Sequence, residues 1–340
     1  MNYSELKKFL DYVDKRITPP MKELLNSGVD EMTRRVIYYP ILTGGKRIRP
    51  ALAIACCKML GGKIKDVLYP AASIEILHNF TLIIDDIIDD SILRRKKPTC
   101  WAKFGRSITQ AASIDYAAAI FQKSGQWKKQ DKICEILGKA MKAIVDGEIY
   151  DILFEQAGRT EEPFVENNRY KEITEKDYFR MVSKKTASLI QASCEIGGLI
   201  AGANKVQRTL LRKYGLYLGV AFQIQDDILD IFGREEIFGK EIGHDIKERK
   251  LGNIVILLAF RKLSQADKRR FLRILRKKEI TQKDIKEAVG LIQKTESRSQ
   301  ASTMAKSYIY NAKRNLNLLP SNKWNRILNS IADFVIEREK

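Results

Sequence analysis

Leu82-Ile83-Ile84-Asp85-Asp86-Ile87-Ile88-Asp89-Asp90 sets four carboxylates in a run whose other residues are all Leu or Ile. At 3.6 residues per turn, Asp85 stacks over Asp89 and Asp86 over Asp90, leaving the aliphatic side chains to pack. Carboxylates this close repel, and burying an uncompensated charge is costly. A cation between them resolves both problems, and a set of hard oxygen ligands favours Mg2+ over zinc or a softer metal. Taken alone, the cluster could equally be an acidic helix edge in solvent.

A second cluster weighs against the solvated edge. Phe222-Gln223-Ile224-Gln225-Asp226-Asp227-Ile228-Leu229-Asp230 repeats the spacing of Asp85, Asp86 and Asp89, again among apolar residues. Two such helices facing each other in a bundle make a clamp that holds several Mg2+ ions between carboxylates and a polyphosphate. The candidate metal ligands are therefore Asp85, Asp86, Asp89, Asp226, Asp227 and Asp230.

Elsewhere apolar residues recur at helical spacing and period-2 alternation is scarce, so the chain reads as all-α. A first helix over 4–17 should stop at Thr18-Pro19-Pro20. Gly44-Gly45 breaks the chain before a helix from Pro50 to Met59, and a long helix over 67–93 carries the first aspartates. Helices are predicted over 109–123 and 133–155, and a loop over 158–171. Thr174 with Asp177 caps a helix running on towards Gly197-Gly198, and the second aspartates ride on a helix over 206–232. Residues 233–252 read as a lid loop. Ser264, Thr281 and Ser321 are the expected caps of three C-terminal helices. No linker divides the chain, so residues 1–340 are expected to form one domain.

The net charge of +19, from 61 Lys+Arg against 42 Asp+Glu, suits an anionic partner or a polyanionic substrate. The basic residues are spread along the chain without interleaved aromatics or zinc-ligand spacing, so no nucleic-acid partner is expected. Cys56, Cys57, Cys100, Cys134 and Cys194 are odd in number and lack C-x-x-C spacing, which fits reduced thiols in a cytoplasm. The N-terminus lacks a signal-peptide core, and no run approaches the ~18 unbroken apolar residues of a membrane span.

From about Gly44 to Asn253 the chain resembles the trans-isoprenyl diphosphate synthases (polyprenyl synthetases), most closely the archaeal-type geranylgeranyl diphosphate synthases. The two aspartate motifs match in order. In Gly44-Gly45-Lys46-Arg47-Ile48-Arg49-Pro50, Lys46 and Arg49 match residues that grip isopentenyl diphosphate, and His78 matches the third such ligand. Arg94 and Arg95 match an arginine pair serving the allylic and isopentenyl diphosphates. Guanidinium suits this work, because its planar donors bond phosphate in pairs. Lys185-Thr186 and Gln223 match residues beside the reacting carbons, while Lys240 and Lys250 match lid lysines on the allylic diphosphate.

The resemblance implies an isoprenoid-synthase helical bundle with a central cavity, a homodimer, and Mg2+ at three ions per site. It also implies ionisation of an allylic diphosphate (dimethylallyl, geranyl or farnesyl), attack by the isopentenyl double bond, and proton loss. Phe80, five residues before Asp85, with Leu77 and Ile76 deeper, would limit the product to geranylgeranyl diphosphate. Thr81 is not the second aromatic of a tighter farnesyl pocket. The alternatives are a farnesyl or longer product, a regulatory subunit of a hetero-oligomeric synthase, and a terpene cyclase of the same fold. A cyclase has no use for Lys46, Arg49 and His78, and regulatory subunits generally lose aspartates that are all present here. The chain departs from the family pattern at Lys96 (usually Gly), Ser113-Ile114-Asp115 (a small-Gly-Asp turn), Glu148 (often Gln) and Leu251-Gly252-Asn253 (often Thr-Leu-Pro).

Overall fold

The computed structural model describes residues 3–233 and 242–337, and the all-α expectation holds there. In chain order come α1 (Tyr3–Asn26), α2 (Glu31–Leu42), α3 (Ile48–Met59), α4 (Ile64–Ile88), a hairpin of β1 (Leu93–Arg94) and β2 (Lys97–Pro98), α5 (Cys100–Phe104), α6 (Arg106–Ala119), α7 (Gln130–Leu153), α8 (Pro163–Asn168) and α9 (Glu175–Val182). A π turn (Ser183–Ala187) then leads to α10 (Ser188–Ile200) and α11 (Lys205–Phe232). After the segment 234–241, which lies outside the described residues, follow α12 (His244–Lys247), α13 (Ile254–Lys262), α14 (Gln265–Leu275), α15 (Gln282–Gln293), α16 (Ser297–Leu316) and α17 (Lys323–Glu337).

The chain divides into two compact units. One comprises Met1–Lys142, Ser188–Leu216 and Ala312–Asp333; the other comprises Ala143–Ala187, Tyr217–Asn311 and Phe334–Lys340. In the first, α3 and α10 pack most closely. Residues Ala51 to Cys57 of α3 are all wholly buried, so over this stretch the helix is apolar all round and has no solvent face. Gly197 of α10 permits the approach: an added Cβ would overlap the Ala53 carbonyl oxygen and meet the Cys56 Cβ at 3.0 Å. In the second unit, Ile254 to Ala259 of α13 are buried, as are Phe271, Ile274 and Leu275 of α14. Gly219 lets α11 lie directly on Ala187 at the end of the π turn.

Local signals were overruled in several places. Helix α1 does not stop at Thr18-Pro19-Pro20 but contains both prolines. Val13, Ile17, Met21, Leu24 and Leu25 are buried and continue one apolar face past them. At about 1.5–3 kcal/mol per buried side chain, this offsets the lost backbone bonds. Helix α4 ends at Ile88 rather than near Leu93, with Asp89 as C-cap and Asp90 at φ 51°. Asp90 therefore does not stack under Asp86; it is exposed and pairs with Arg106. The helix predicted to run unbroken from Thr174 splits at the π turn, although the Thr174/Asp177 capping box forms. Ser264 and Thr281 cap α14 and α15 as expected. Before α17 it is Asn322, not Ser321, whose Oδ1 accepts from the Trp324 and Asn325 amides. The loop over 158–171 contains α8.

Among the described residues, α4 alone is long and apolar enough on average to cross a membrane, yet 61% of its most apolar window is buried within the protein. Replacing Gly197 with Ala should destabilise the protein by about 1–3 kcal/mol through overpacking against Ala53. The reading is a lower denaturant midpoint at an unchanged slope.

Candidate active site

Each unit contains one aspartate-rich helix end with its own set of cations. In the first unit the Gly44-Gly45-Lys46 turn is pinned by Arg47, which is 4% exposed and holds φ 53°. Arg47 donates from Nε to Asp14 Oδ1 (2.7 Å), from Nη1 to Glu75 Oε1 (2.9 Å) and from Nη2 to the Ile41 carbonyl (3.0 Å). Glu75 is itself 2% exposed, so this is a buried ion pair whose remaining donors are satisfied. A Cβ on Gly45 would lie 3.1 Å from both terminal nitrogens of Arg95 and 3.3 Å from Arg47 Nη1, so two guanidiniums lie against a bare backbone. Lys46 is exposed in the same turn.

Arg49 Nη1 lies 3.0 Å from His78 Nε2. A guanidinium can only donate, so Nε2 is the acceptor and the imidazole is neutral. Burial, then the charges of Arg49, Arg95, Arg94 and Arg47, hold the His78 pKa well below the ordinary value. His78 is two turns before Asp85 on the same face of α4. The structure thus brings Arg49, His78, Arg95 and the Gly45 turn together as an anion-attracting corner.

Asp86 is buried and faces elsewhere: its Oδ1 accepts from Arg94 Nε and Nη2, each at 2.8 Å, and its carbonyl accepts from Trp101 Nε1. Asp85 and Asp89 are half-buried at the end of α4. Arg94 and Arg95 sit on the β1–β2 hairpin, whose two turn residues, Arg95 and Lys96, both have positive φ (55° and 62°), as a type I′ turn requires. The departure at Lys96 therefore sets a residue with a Cβ where glycine is unstrained. Phe80 is half-buried, while Leu77 and Ile76 are fully buried. By helix geometry Ile76 faces opposite Asp85, and Phe80 is about 140° around from it.

In the second unit Asp227 is the hub. It is 3% exposed and accepts from Tyr178 Oη (2.8 Å), Gln223 Nε2 (2.9 Å) and the Ile254 amide (2.8 Å). Burial and then the neighbouring Asp245 carboxylate push its pKa well up, against the pull of these donors. Thr186 Oγ1 donates to Gln223 Oε1 (2.7 Å), which chains the π turn to Asp227. Asp230 accepts from the His244 amide (3.0 Å) and the Asp245 amide (3.3 Å), and its carbonyl accepts from the Gly243 amide (2.7 Å). It thereby anchors the start of α12, a short helix inside the span 233–252 that was predicted to be all loop. Asp226 is half-buried. Lys240 lies outside the described residues.

Lys185 and Lys250 converge on Asp151 Oδ2, at 2.7 and 3.0 Å; Lys185 also meets Glu148 (2.7 Å) and Lys250 meets Glu248 (2.8 Å). Burial would raise the Asp151 pKa, but the two ammonium groups bring it down to about 2. Gly147 is what lets α7 reach them, since a Cβ there would run into the Lys185 backbone. Asp151, Tyr178, Asp245 and Glu248 were not singled out from sequence, and Asn253 was noted only as a departure from the family pattern. The one usable signal was Glu148-x-x-Asp151 between Ile144, Val145, Ile149 and Ile152, a carboxylate pair in an apolar run.

In the first unit the half-buried carboxylates of Asp85 and Asp89 are hard oxygen donors without sulfur, a chemistry that fits Mg2+, and in the second unit the half-buried Asp226 carboxylate is of the same kind. The chain matches the family described as Polyprenyl synthetase over residues 30–292. It is 31% identical over 341 residues to the short chain isoprenyl diphosphate synthase of Methanothermobacter thermautotrophicus, covering 98% of each. Its fold superposes on the geranylgeranyl pyrophosphate synthetase of Pyrococcus horikoshii with a TM-score of 0.88 at 30% identity, covering 99% of each chain. A polyprenyl synthase from Caulobacter crescentus, solved with calcium and isoprenyl diphosphate, gives a TM-score of 0.88 at 27% identity, covering 100% of this chain and 98% of that one. The chain belongs to the polyprenyl synthetase family, a family of Mg2+-dependent trans-prenyltransferases.

Two outcomes test this geometry. Lys96→Gly should stabilise the protein by about 0.5–1 kcal/mol, the left-handed penalty less the added freedom of the unfolded chain. For His78, a lowered folded-state pKa means the folded protein binds fewer protons. Its contribution is complete above about pH 6.5 and is lost as pH falls below that value, by up to about 1.4 kcal/mol per unit. Denaturant midpoints between pH 7 and pH 5 should therefore fall more steeply for the wild type than for His78→Gln.

Proposed function

We propose that the chain condenses isopentenyl diphosphate with an allylic diphosphate, taking dimethylallyl, geranyl or farnesyl diphosphate and ending at geranylgeranyl diphosphate. The observation that carries this reading is the second anion-attracting corner. Arg49, His78, Arg95 and the Gly45 turn lie on the same helix face and hairpin as the first aspartates, which gives one site two diphosphates to bind. In this reading both aspartate motifs serve the allylic diphosphate, and the chain works as one catalytic domain whose lid is the segment 233–252.

Lys46, Arg49, His78 and Arg95 bind isopentenyl diphosphate; the neutral imidazole then accepts or donates without having to lose a proton first. Arg94, held by Asp86, presents its guanidinium to the allylic diphosphate together with Lys185, Lys250 and Lys240. Asp85, Asp89 and Asp226 would hold Mg2+, three ions in all, while Asp86, Asp227 and Asp230 fix the helix ends that carry them. The bound ions would supply the charge neutralisation that lets diphosphate depart. Thr186 and Gln223, tied to each other and to Asp227, aim oxygen dipoles at the carbon that becomes positive, a preorganised stabilisation that needs no protein nucleophile. The isopentenyl double bond attacks that carbon, and the released diphosphate takes the proton.

Phe80 limits chain growth, with Leu77 and Ile76 behind it. The relatives' names support this length, as does the absence of an aromatic at Thr81. Homodimerisation is supported by an exposed stripe on α6, where Ile108 (53% exposed) and Ile114 (71%) lie with Ala111 and Ala118 on one face. The free thiols, four of them buried, fit a cytoplasmic protein.

Incubation with isopentenyl diphosphate, Mg2+ and each primer, followed by chromatography of the dephosphorylated products, should give geranylgeraniol. No prenyl product from any primer contradicts the reading. Phe80→Ala should lengthen the product by at least one isoprene unit, and unchanged length would remove Phe80 as the limit. Ile114→Lys should shift the protein from dimer to monomer in sedimentation velocity.

A further inference from the structure

The excess positive charge is not evenly distributed. Residues 261–287 hold eleven Lys/Arg against four Asp/Glu, a net +7 of the chain's +19 in 27 residues. Helix α14 orders this charge. Its apolar side, Phe271, Ile274 and Leu275, is buried in the second unit, while Arg269, Arg273 and Arg276 succeed one another at i, i+4 and i+7 and are all exposed. Arg270 and Lys277 flank this row and are paired, with Glu287 and Asp284. Arg269, Arg273 and Arg276 have no carboxylate within ion-pair reach among the described residues. Like charges at i, i+4 destabilise a helix, and the dipole compensates cations only in the last turn, which leaves Arg269 without that support. The row borders an open concavity of about 630 Å3, bounded by Ala266, Arg269, Arg273 and Lys277. Lys278, Lys283 and Lys286 extend the basic surface around the turn into α15.

From this face we infer a peripheral docking surface for an anionic phospholipid bilayer. Four to eight Lys/Arg on one side of an amphipathic helix are the charge pattern that anionic headgroups attract. The apolar side of α14 is committed to the core, so contact is electrostatic, without insertion, and acts within a Debye length of about 10 Å at 0.1 M salt. Single-stranded nucleic acid is the poorer partner, because the aromatic ring of this helix, Phe271, is 1% exposed and cannot stack on bases; duplex DNA is a competitor in the test below. The choice of a membrane rests also on the function proposed above, since a twenty-carbon diphosphate is an amphiphile that leaves the enzyme most readily into a bilayer.

The test is cosedimentation of the whole protein with vesicles of phosphatidylcholine alone and of phosphatidylcholine with phosphatidylglycerol, at low and high salt. Binding should require phosphatidylglycerol and be lost at high salt. Arg269→Gln/Arg273→Gln/Arg276→Gln should lower partitioning by on the order of 100-fold, and the corresponding triple Lys variant should retain most of it. Prenyl transfer measured without vesicles should be the same in wild type and both variants, so that loss of docking and loss of the enzyme reading are told apart. Equal binding to neutral vesicles, undiminished binding by the Gln variant, or complete displacement from anionic vesicles by duplex DNA at equal phosphate would overturn the proposal.

Discussion

Carboxylates packed into apolar helix ends must be compensated, and this constraint organises both halves of the protein. In the first unit the buried Asp86 is compensated by Arg94, which also fixes the hairpin that presents Arg95. In the second, the buried Asp227 is compensated by three neutral donors, Tyr178, Gln223 and the Ile254 amide. The difference matters chemically. A guanidinium neutralises its carboxylate, whereas the three neutral donors pull on Asp227 less than burial and the Asp245 carboxylate push, and its pKa stands well up. The two buried aspartates are thus held by different means, a fixed cation on one motif and neutral hydrogen-bond donors on the other.

The departures from the family pattern acquire physical meaning in these surroundings. Asn253, where proline is frequent, is 1% exposed. Its Oδ1 caps α13 at the Val255 and Ile256 amides, and its Nδ2 donates to Asp245 Oδ2 (2.8 Å) and to the Asp227 carbonyl (3.3 Å). Proline could make none of these side-chain bonds, so this chain secures with an amide what a rigid ring would otherwise hold. Glu148, where glutamine is common, adds a full charge beside Lys185. Ile114, at an expected glycine, adds apolar surface to the exposed stripe of α6.

Much of this was legible in the sequence because it is local. Charges inside aliphatic runs mark Asp85 and Asp226, helical periodicity marks α3, α4 and α11, and side chains three residues apart mark the caps at Thr174, Ser264 and Thr281. What escaped depends on distance along the chain or on packing. Tyr178 meets Asp227 across 49 residues, and no spacing rule links them. The π turn that carries Lys185 follows from the close approach of Gly147, which periodicity does not register. Pro19 and Pro20 read as a stop because the local penalty is visible and the buried face that outweighs it is not. The role of Arg47 was hidden by its neighbours: within Lys46-Arg47-Ile48-Arg49 nothing separates the buried structural guanidinium from those that face a ligand.

In the proposed reaction one diphosphate is held by protein cations alone and the other through metal on the aspartates. Calorimetric titration with isopentenyl diphosphate and with a non-ionisable allylic thiodiphosphate, each in EDTA and in Mg2+, tests it directly. Isopentenyl diphosphate should bind in EDTA and be weakened by Arg49→Gln but not by Asp85→Asn, while the allylic analogue should bind only with Mg2+ and be lost in Asp85→Asn. Metal-dependent binding of isopentenyl diphosphate, or allylic binding that survives both EDTA and Asp85→Asn, would contradict it.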